Sequence, residues 1–172
     1  AFWIQVKVLE WDNYPKIETM DQYFDLLERY YEANPTMEDG TPIIPYTILC
    51  EDWRYFCLEN AGQFLDGYPN DGSVIVNKQT LKIEDYNTSE TTQKYFRKLN
   101  EEFQKGMIDP EFATMTYDEY MAKLSTGAVL GMVDQWWDFA FTVNDVFKTT
   151  GLDAQGCNYV PLGLTTEAGM EN

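Results

Sequence analysis

The chain has 172 residues, 44% hydrophobic and 16% aromatic, and a formal net charge of −17 from 29 acidic and 12 basic residues. Its length and apolar content predict one folded domain over residues 1–172 with its own core, and exclude a disordered chain. The acidic balance excludes nucleic acid as a partner, because phosphate binding needs clustered Lys and Arg, and it disfavours an anionic membrane surface.

Residues 2–11 are apolar with Gln5, Lys7 and Glu10 interspersed. Helix and strand both fit; the three-residue spacing of Trp3, Val6 and Leu9 favours a helix. Asn13, Tyr14 and Pro15 break it. Thr19 then caps a helix over Met20–Ala33, with Gln22 completing a capping box. Its apolar face carries Tyr23, Phe24, Leu27, Tyr30 and Tyr31, and Pro35 ends it. Residues 43–49 read as a strand that Pro45 confines to an edge or a start. Asp52 is placed to cap a helix from Trp53, which Gly62 or Gly67 closes. The cluster Pro69, Asn70, Asp71 and Gly72 marks a turn. Residues 74–76 and 81–83 form a small hairpin around Lys78 and Gln79.

The central stretch carries its own punctuation. Ser89 caps a helix over residues 90–105, and Gly106 closes it. Its apolar face carries Tyr95, Phe96, Leu99 and Phe103, of which Phe96, Leu99 and Phe103 are expected to be largely buried against Tyr120, Leu124 and Val129. Asp109 and Pro110 start a short helical turn. Thr116 and Glu119 form a capping box for a helix over Tyr117–Ser125, and Gly127 ends it. Residues 128–133 are an apolar run of strand length. Residues 139–149 read as a helix stopped by Gly151, and Tyr159–Leu162 as a last strand. The polar tail from Thr165 is expected to fray.

Two clusters follow predicted strands, where ligands bind in open α/β sheets. One is Gln135, Trp136, Trp137 and Asp138; the other is Glu51, Asp52, Trp53 and Arg54. An indole covers the apolar face of a sugar, while carboxylates and amides meet its hydroxyls. On a helix the adjacent Trp136 and Trp137 project about 100° apart, so one can pack inward while the other faces a ligand. If the two strands are neighbours, both clusters line one rim. The expected ligand-binding residues are therefore Asp52, Trp53, Gln135, Trp136, Trp137 and Asp138. The structural alternative makes the tryptophans core or interface residues and Asp52 only a cap.

Other chemistry is thin. The chain has no histidine, which removes the commonest general base and metal ligand and excludes Ser-His-Asp and Cys-His catalysis. Cys50, Cys57 and Cys157 are odd in number and lack CxxC spacing, against a disulfide framework or a zinc site. The calcium-loop pattern starting at Asp66, with Asn70 and Asp71, fails at Tyr68 and lacks the required glycine. No metal or cofactor is expected. Asn87, Thr88 and Ser89 match a glycosylation sequon, a pattern frequent by chance. Asp134 and Asp138 could be read as a glycosidase pair, which needs two carboxyls roughly 5 to 9 Å apart. No apolar run approaches the roughly 20 residues of a spanning helix, so no membrane insertion is expected.

The stretches "YPKIETMDQYFDLLERY", "YFRKLNEEFQKGMIDPEF", "TYDEYMAKLSTGAVLGMVDQ" and "NYVPLG", in that order, span nearly the whole chain. Together they resemble bacterial extracellular solute-binding proteins of the carbohydrate ABC-transporter class, in their second lobe. The resemblance implies an α-rich α/β lobe with a small mixed sheet, of the type II periplasmic-binding-protein kind. It implies a carbohydrate ligand held between two lobes, ABC permease subunits as partners, and an extracellular, lipid-anchored parent. No signal peptide is visible at Ala1, so the chain reads as a fragment of such a parent. The alternatives are an acidic carbohydrate-active enzyme domain using Asp134 and Asp138, and a non-catalytic interaction domain.

Overall fold

The computed structural model describes residues 1–59, 64–67, 70–71 (backbone only) and 74–172. A four-stranded sheet forms its frame, in the order β2 (Ile44–Thr47), β6 (Val129–Val133), β1 (Phe2–Gln5), β7 (Tyr159–Leu162). β2 runs parallel to β6, and β1 is antiparallel to both β6 and β7. A small antiparallel sheet holds β3 (Asn70–Asp71), β4 (Val74–Val76) and β5 (Ile83–Asp85). Val74–Val76 and Ile83–Asp85 are the predicted hairpin, with its second strand starting two residues late because Leu81 takes a left-handed turn conformation (φ +57°).

Every residue of β6 is buried, as a strand with partners on both edges and helices over both faces must be. β2 lies at the sheet edge, where the missing N–H of Pro45 costs no ladder bond. On one face Phe2, Ile4 and Val133 join Tyr23, Phe24 and Leu27 of α2 (Met20–Ala33) and Tyr95 of α4 (Glu90–Gln104). On the other, Trp3 and Met132 join Tyr120 and Leu124 of α5 (Tyr117–Ser125) with Phe139, Val143 and Phe147 of α6 (Trp136–Thr150).

The caps fall where their residues require. Thr19 and Gln22, and Thr116 and Glu119, form reciprocal capping boxes, and the Ser89 hydroxyl accepts from the Thr92 N–H. Gly106, Gly127 and Gly151 end their helices with φ between +76° and +79°.

Four expectations are corrected. Residues 2–11 are not one helix: Phe2–Gln5 is β1, and only α1 (Val6–Trp11) is helical. Hydrogen-bonded strands on both sides outweigh the three-residue spacing, which is accidental once Trp3 points to the face opposite Phe2 and Ile4. Helix α4 buries Thr92, Tyr95, Leu99 and Glu102, leaving Phe96 half-buried and Phe103 43% exposed. Its face meets Phe2 (ring centroids of Phe2 and Tyr95 6.0 Å apart) and Tyr46, not Tyr120, Leu124 and Val129, which lie in the other cluster. Helix α6 starts at Trp136, three residues before the predicted Phe139. The tail is pinned at its start: the Thr165 N–H donates to the Glu18 carbonyl, and Thr166 donates to buried Asp66 through both its N–H and its hydroxyl. Gly62, and Pro69 and Gly72 of the predicted turn, lie outside the described residues; Asn70 and Asp71 form β3, and Gly67 is in a turn with φ +57°.

Candidate functional site

Because β2 and β6 are adjacent and parallel, with Thr47 beside Met132, their carboxyl ends open on the same side. The chain after β2 turns through a single 3-10 turn (Asp52–Tyr55) and then α3 (Phe56–Glu59). The chain after β6 enters α6 within two residues. This brings the two sequence clusters together.

Trp53 and Trp137 stack, with ring centroids 5.8 Å apart and planes at 18°. Trp53 also stacks on Phe56 at 5.9 Å. Trp136 meets Phe141 edge-on at 4.6 Å. Trp53, Trp136 and Trp137 are 47%, 48% and 54% exposed, so neither member of the Trp136–Trp137 pair packs into the core. The expected division, one ring inward and one outward, does not occur: Phe139 and Ala140 take the inward face of α6.

Arg54 fastens this aromatic group to the frame. Its Nε–H donates to both oxygens of Asp138, at 3.1 and 3.2 Å. Its guanidinium carbon lies 4.4 Å from the Trp53 ring centre and 3.7 Å from that of Tyr117, a cation held over two aromatic rings. Tyr117 in turn donates its hydroxyl to the Asp138 carbonyl at 2.6 Å, and its backbone N–H donates to the Glu51 carboxylate. Burial, then the Asp138 charge, pushes the Tyr117 phenol up, and Arg54 offsets part of that rise.

Asp138 is buried beneath Arg54 and Tyr117, so its carboxylate is committed to the scaffold. Asp52 is exposed, has left-handed backbone (φ +52°) and does not cap: Glu51 holds the N-cap position, without a capping side-chain bond. Gln135 holds the N-cap position of α6, also without a capping bond, and is half-buried. Sequence reasoning does not select Arg54, which stands in the second cluster, or Tyr117, whose ring direction no local pattern reports.

Asp134 lies fully buried under the rim. Its carboxylate accepts from the Tyr120 hydroxyl at 2.7 Å and from the Gln135 N–H at 2.6 Å. Burial pushes its pKa up to about 7; the Tyr120 bond works against that rise, and the Asp138 charge adds to it. Asp134 and Asp138 therefore do not face each other across an open cleft, as a glycosidase pair must.

Among the described residues no group of three or more Cys, Asp or Glu is placed to hold a metal. Of the calcium-loop candidates, Asp66 is buried and spends its carboxylate on Thr91 and Thr166; the side chains of Asn70 and Asp71 lie outside the described residues. The three cysteines are unpaired. An apolar groove of about 320 Å³ is lined by Ile48, Leu58, Phe96, Leu99, Phe103 and Phe112 among others, and none of the expected ligand-binding residues lines it.

No family model and no curated protein sequence matches the chain. Solved structures do. The chain is similar to FusA, an ABC-transporter substrate-binding protein of Streptococcus pneumoniae in complex with kestose, at 20% identity and TM-score 0.59 over 77% of this chain and 27% of that one. An HMO-binding ABC-transporter-associated solute-binding protein from Bifidobacterium longum infantis matches over 98% of this chain and 34% of that one, at 17% identity and TM-score 0.59. A chitin oligosaccharide binding protein matches over 98% and 39%, at 19% identity and TM-score 0.56. The chain thus spans between about a quarter and two fifths of the length of these proteins. It has the α/β fold of one stretch of the solute-binding proteins of ABC transporters.

Proposed function

We propose that the chain forms most of one lobe of a substrate-binding component of an ABC importer, and that it binds a neutral oligosaccharide against the Trp53–Trp137 rim. The observation that carries this reading is the stacked, half-exposed Trp53–Trp137 pair just past the carboxyl ends of two adjacent parallel strands. Each of the three similar proteins is named for binding, and the ligands named for FusA and the chitin oligosaccharide binding protein are saccharides. Asp52, Gln135 and Trp136 add to the contact surface, while Asp138 acts from below by holding Arg54.

The mechanism is capture without bond chemistry. Indole faces cover the C–H face of a pyranose or furanose ring, and polar groups at the rim meet its hydroxyls. A second lobe closes over the ligand by hinge motion, and the closed form docks on permease subunits. We place the parent protein outside the cytoplasmic membrane, held there by a lipid anchor; no helix among the described residues is long and apolar enough to cross a membrane. The enzyme alternative is less well supported, because Asp134 is sealed and Asp138 is paired with Arg54.

Thermal unfolding of the two-lobe protein with and without kestose, chitin oligosaccharides and milk-type oligosaccharides tests the reading. A ligand at one hundred times its Kd should stabilise by about 2.7 kcal/mol. No shift with any saccharide of a broad panel overturns it.

A further inference from the structure

We propose that Arg54 reads the hydroxyl oxygens of a neutral saccharide, through the edge of its guanidinium that carries the two Nη groups. The inference rests on the saccharide-binding reading above and adds the residue and the charge class.

A guanidinium has five N–H donors. The Nε–H of the Arg54 guanidinium donates to both oxygens of Asp138, and the group also has a side-chain hydrogen bond with Tyr117. The Nη donors not turned on Tyr117 are left over, and neither Nη atom stands as an orphaned buried donor in the interior. The Trp53 and Tyr117 rings both lie against the group, 4.4 and 3.7 Å from its carbon. The Arg54 side chain is 19% exposed and packs on Trp53, itself one ring of the Trp53–Trp137 stack, so the Nη donors are what remains for a ligand there.

The group is also held still. Asp138, Trp53 and Tyr117 fix its position, its plane and its rotation, and Tyr117 is itself tied to Glu51 and to the Asp138 carbonyl. A planar donor fork fixed before binding loses little freedom on binding, and it favours two acceptor oxygens side by side. Adjacent ring hydroxyls of a sugar offer that arrangement.

Charge decides between neutral and acidic sugars. The Arg54 cation is already balanced by Asp138 at 3.1 Å, and Asp52 stands exposed two residues away. The chain as a whole carries −17. A carboxylated sugar would compete with Asp138 for Arg54 and enter an acidic field. A hydroxylated one needs only the spare donors.

Calorimetric titration of the two-lobe protein with kestose and with chitin oligosaccharides, wild type against Arg54→Lys, tests this. The lysine keeps the charge and loses the fork, so affinity should fall roughly 10- to 100-fold. Monodeoxy analogues of the bound sugar then separate contact from support. The analogue lacking the hydroxyl read by Arg54 should bind worse to wild type and no worse to Arg54→Lys. A variant as tight as wild type, or one equally weakened toward every analogue, overturns the inference. So does tighter wild-type binding of a uronic-acid oligosaccharide than of its neutral counterpart. A crystal structure of the wild-type complex tests the contact without any variant: sugar oxygens within hydrogen-bond distance of Nη support it, and their absence overturns it. If wild type binds no saccharide at all, the saccharide reading itself falls, and this inference with it.

Discussion

Arg54 and Asp138, 84 residues apart in sequence, form an ion pair 3.1 Å long that ties the turn after β2 to the first turn of α6. The Asp138 side chain is 3% exposed, so its charge has little water to fall back on. Arg54→Ala should therefore destabilise by about 3 kcal/mol, the cost of leaving a buried carboxylate unpaired. The double variant Arg54→Met/Asp138→Leu should recover most of that loss. Urea denaturation of the three proteins checks it; a loss below about 1 kcal/mol for Arg54→Ala would show that water replaces the pair.

Gly131 sits at the centre of β6, where an added Cβ would overlap the Tyr23 hydroxyl and crowd the Trp3 carbonyl at 3.0 Å. That hydroxyl donates to the same carbonyl at 2.7 Å, so it is not free to swing away. Gly131→Ala should cost about 1 to 3 kcal/mol through overpacking. Adding Tyr23→Phe should return part of it by removing the atom in the way. Equal stability of Gly131→Ala and wild type would mean that α2 stands further from the sheet.

Leu99 and Phe103 both lie on α4, but only Leu99 is buried. Leu99→Ala should destabilise by about 2 kcal/mol, the low end for a core leucine, because the site borders a groove and can relax. Phe103→Ala should cost less than about 1 kcal/mol, since the residue is already 43% exposed. The reverse order would place the helix one residue out of rotation.

The Asp134 carboxyl, raised to about 7 from an ordinary 3.8, makes stability depend on pH. Its folded pKa lies above its unfolded value, so the folded state keeps the proton longer. The stability it contributes is complete below about pH 4 and is lost as pH rises towards about 7. Asp134→Asn keeps the shape and the acceptor for Gln135 but cannot titrate. Between about pH 4 and 7 the melting temperature of wild type should fall relative to that of Asp134→Asn. Parallel profiles would mean that Asp134 is already ionised in the fold at acid pH.

The elements most legible in the sequence are those whose signals are local. Thr19 with Gln22, Thr116 with Glu119, Ser89, and the glycines at 106, 127 and 151 mark helix ends through bonds made within a few residues, and each falls as expected. β1 is not legible, because what makes residues 2–5 a strand lies at residues 131–133 and 159–162. The face of α4 is obscured because three of its buried positions, Thr91, Thr92 and Glu102, are polar. The rim is partly legible. Both clusters stand at strand ends, but joining them requires β2 and β6 to be neighbours. The Arg54–Tyr117–Asp138 cluster depends on three elements meeting, and no spacing in the chain encodes it.

The central claim is that the Trp53–Trp137 rim is a saccharide platform, and calorimetric titration of the proposed two-lobe parent with the oligosaccharide that most raises its melting temperature tests it most directly. The comparison is among wild type, Trp53→Ala, Trp137→Ala and Trp11→Ala. Trp11 is also exposed, at 42%, but packs on Tyr30 and Arg29 rather than at the rim, and so controls for loss of any surface indole. Loss of one stacking ring should cost about 1.4 kcal/mol, a tenfold weaker Kd. That weakening is the predicted result for Trp53→Ala and for Trp137→Ala, with Trp11→Ala unchanged. Wild-type affinity in both rim variants would contradict it.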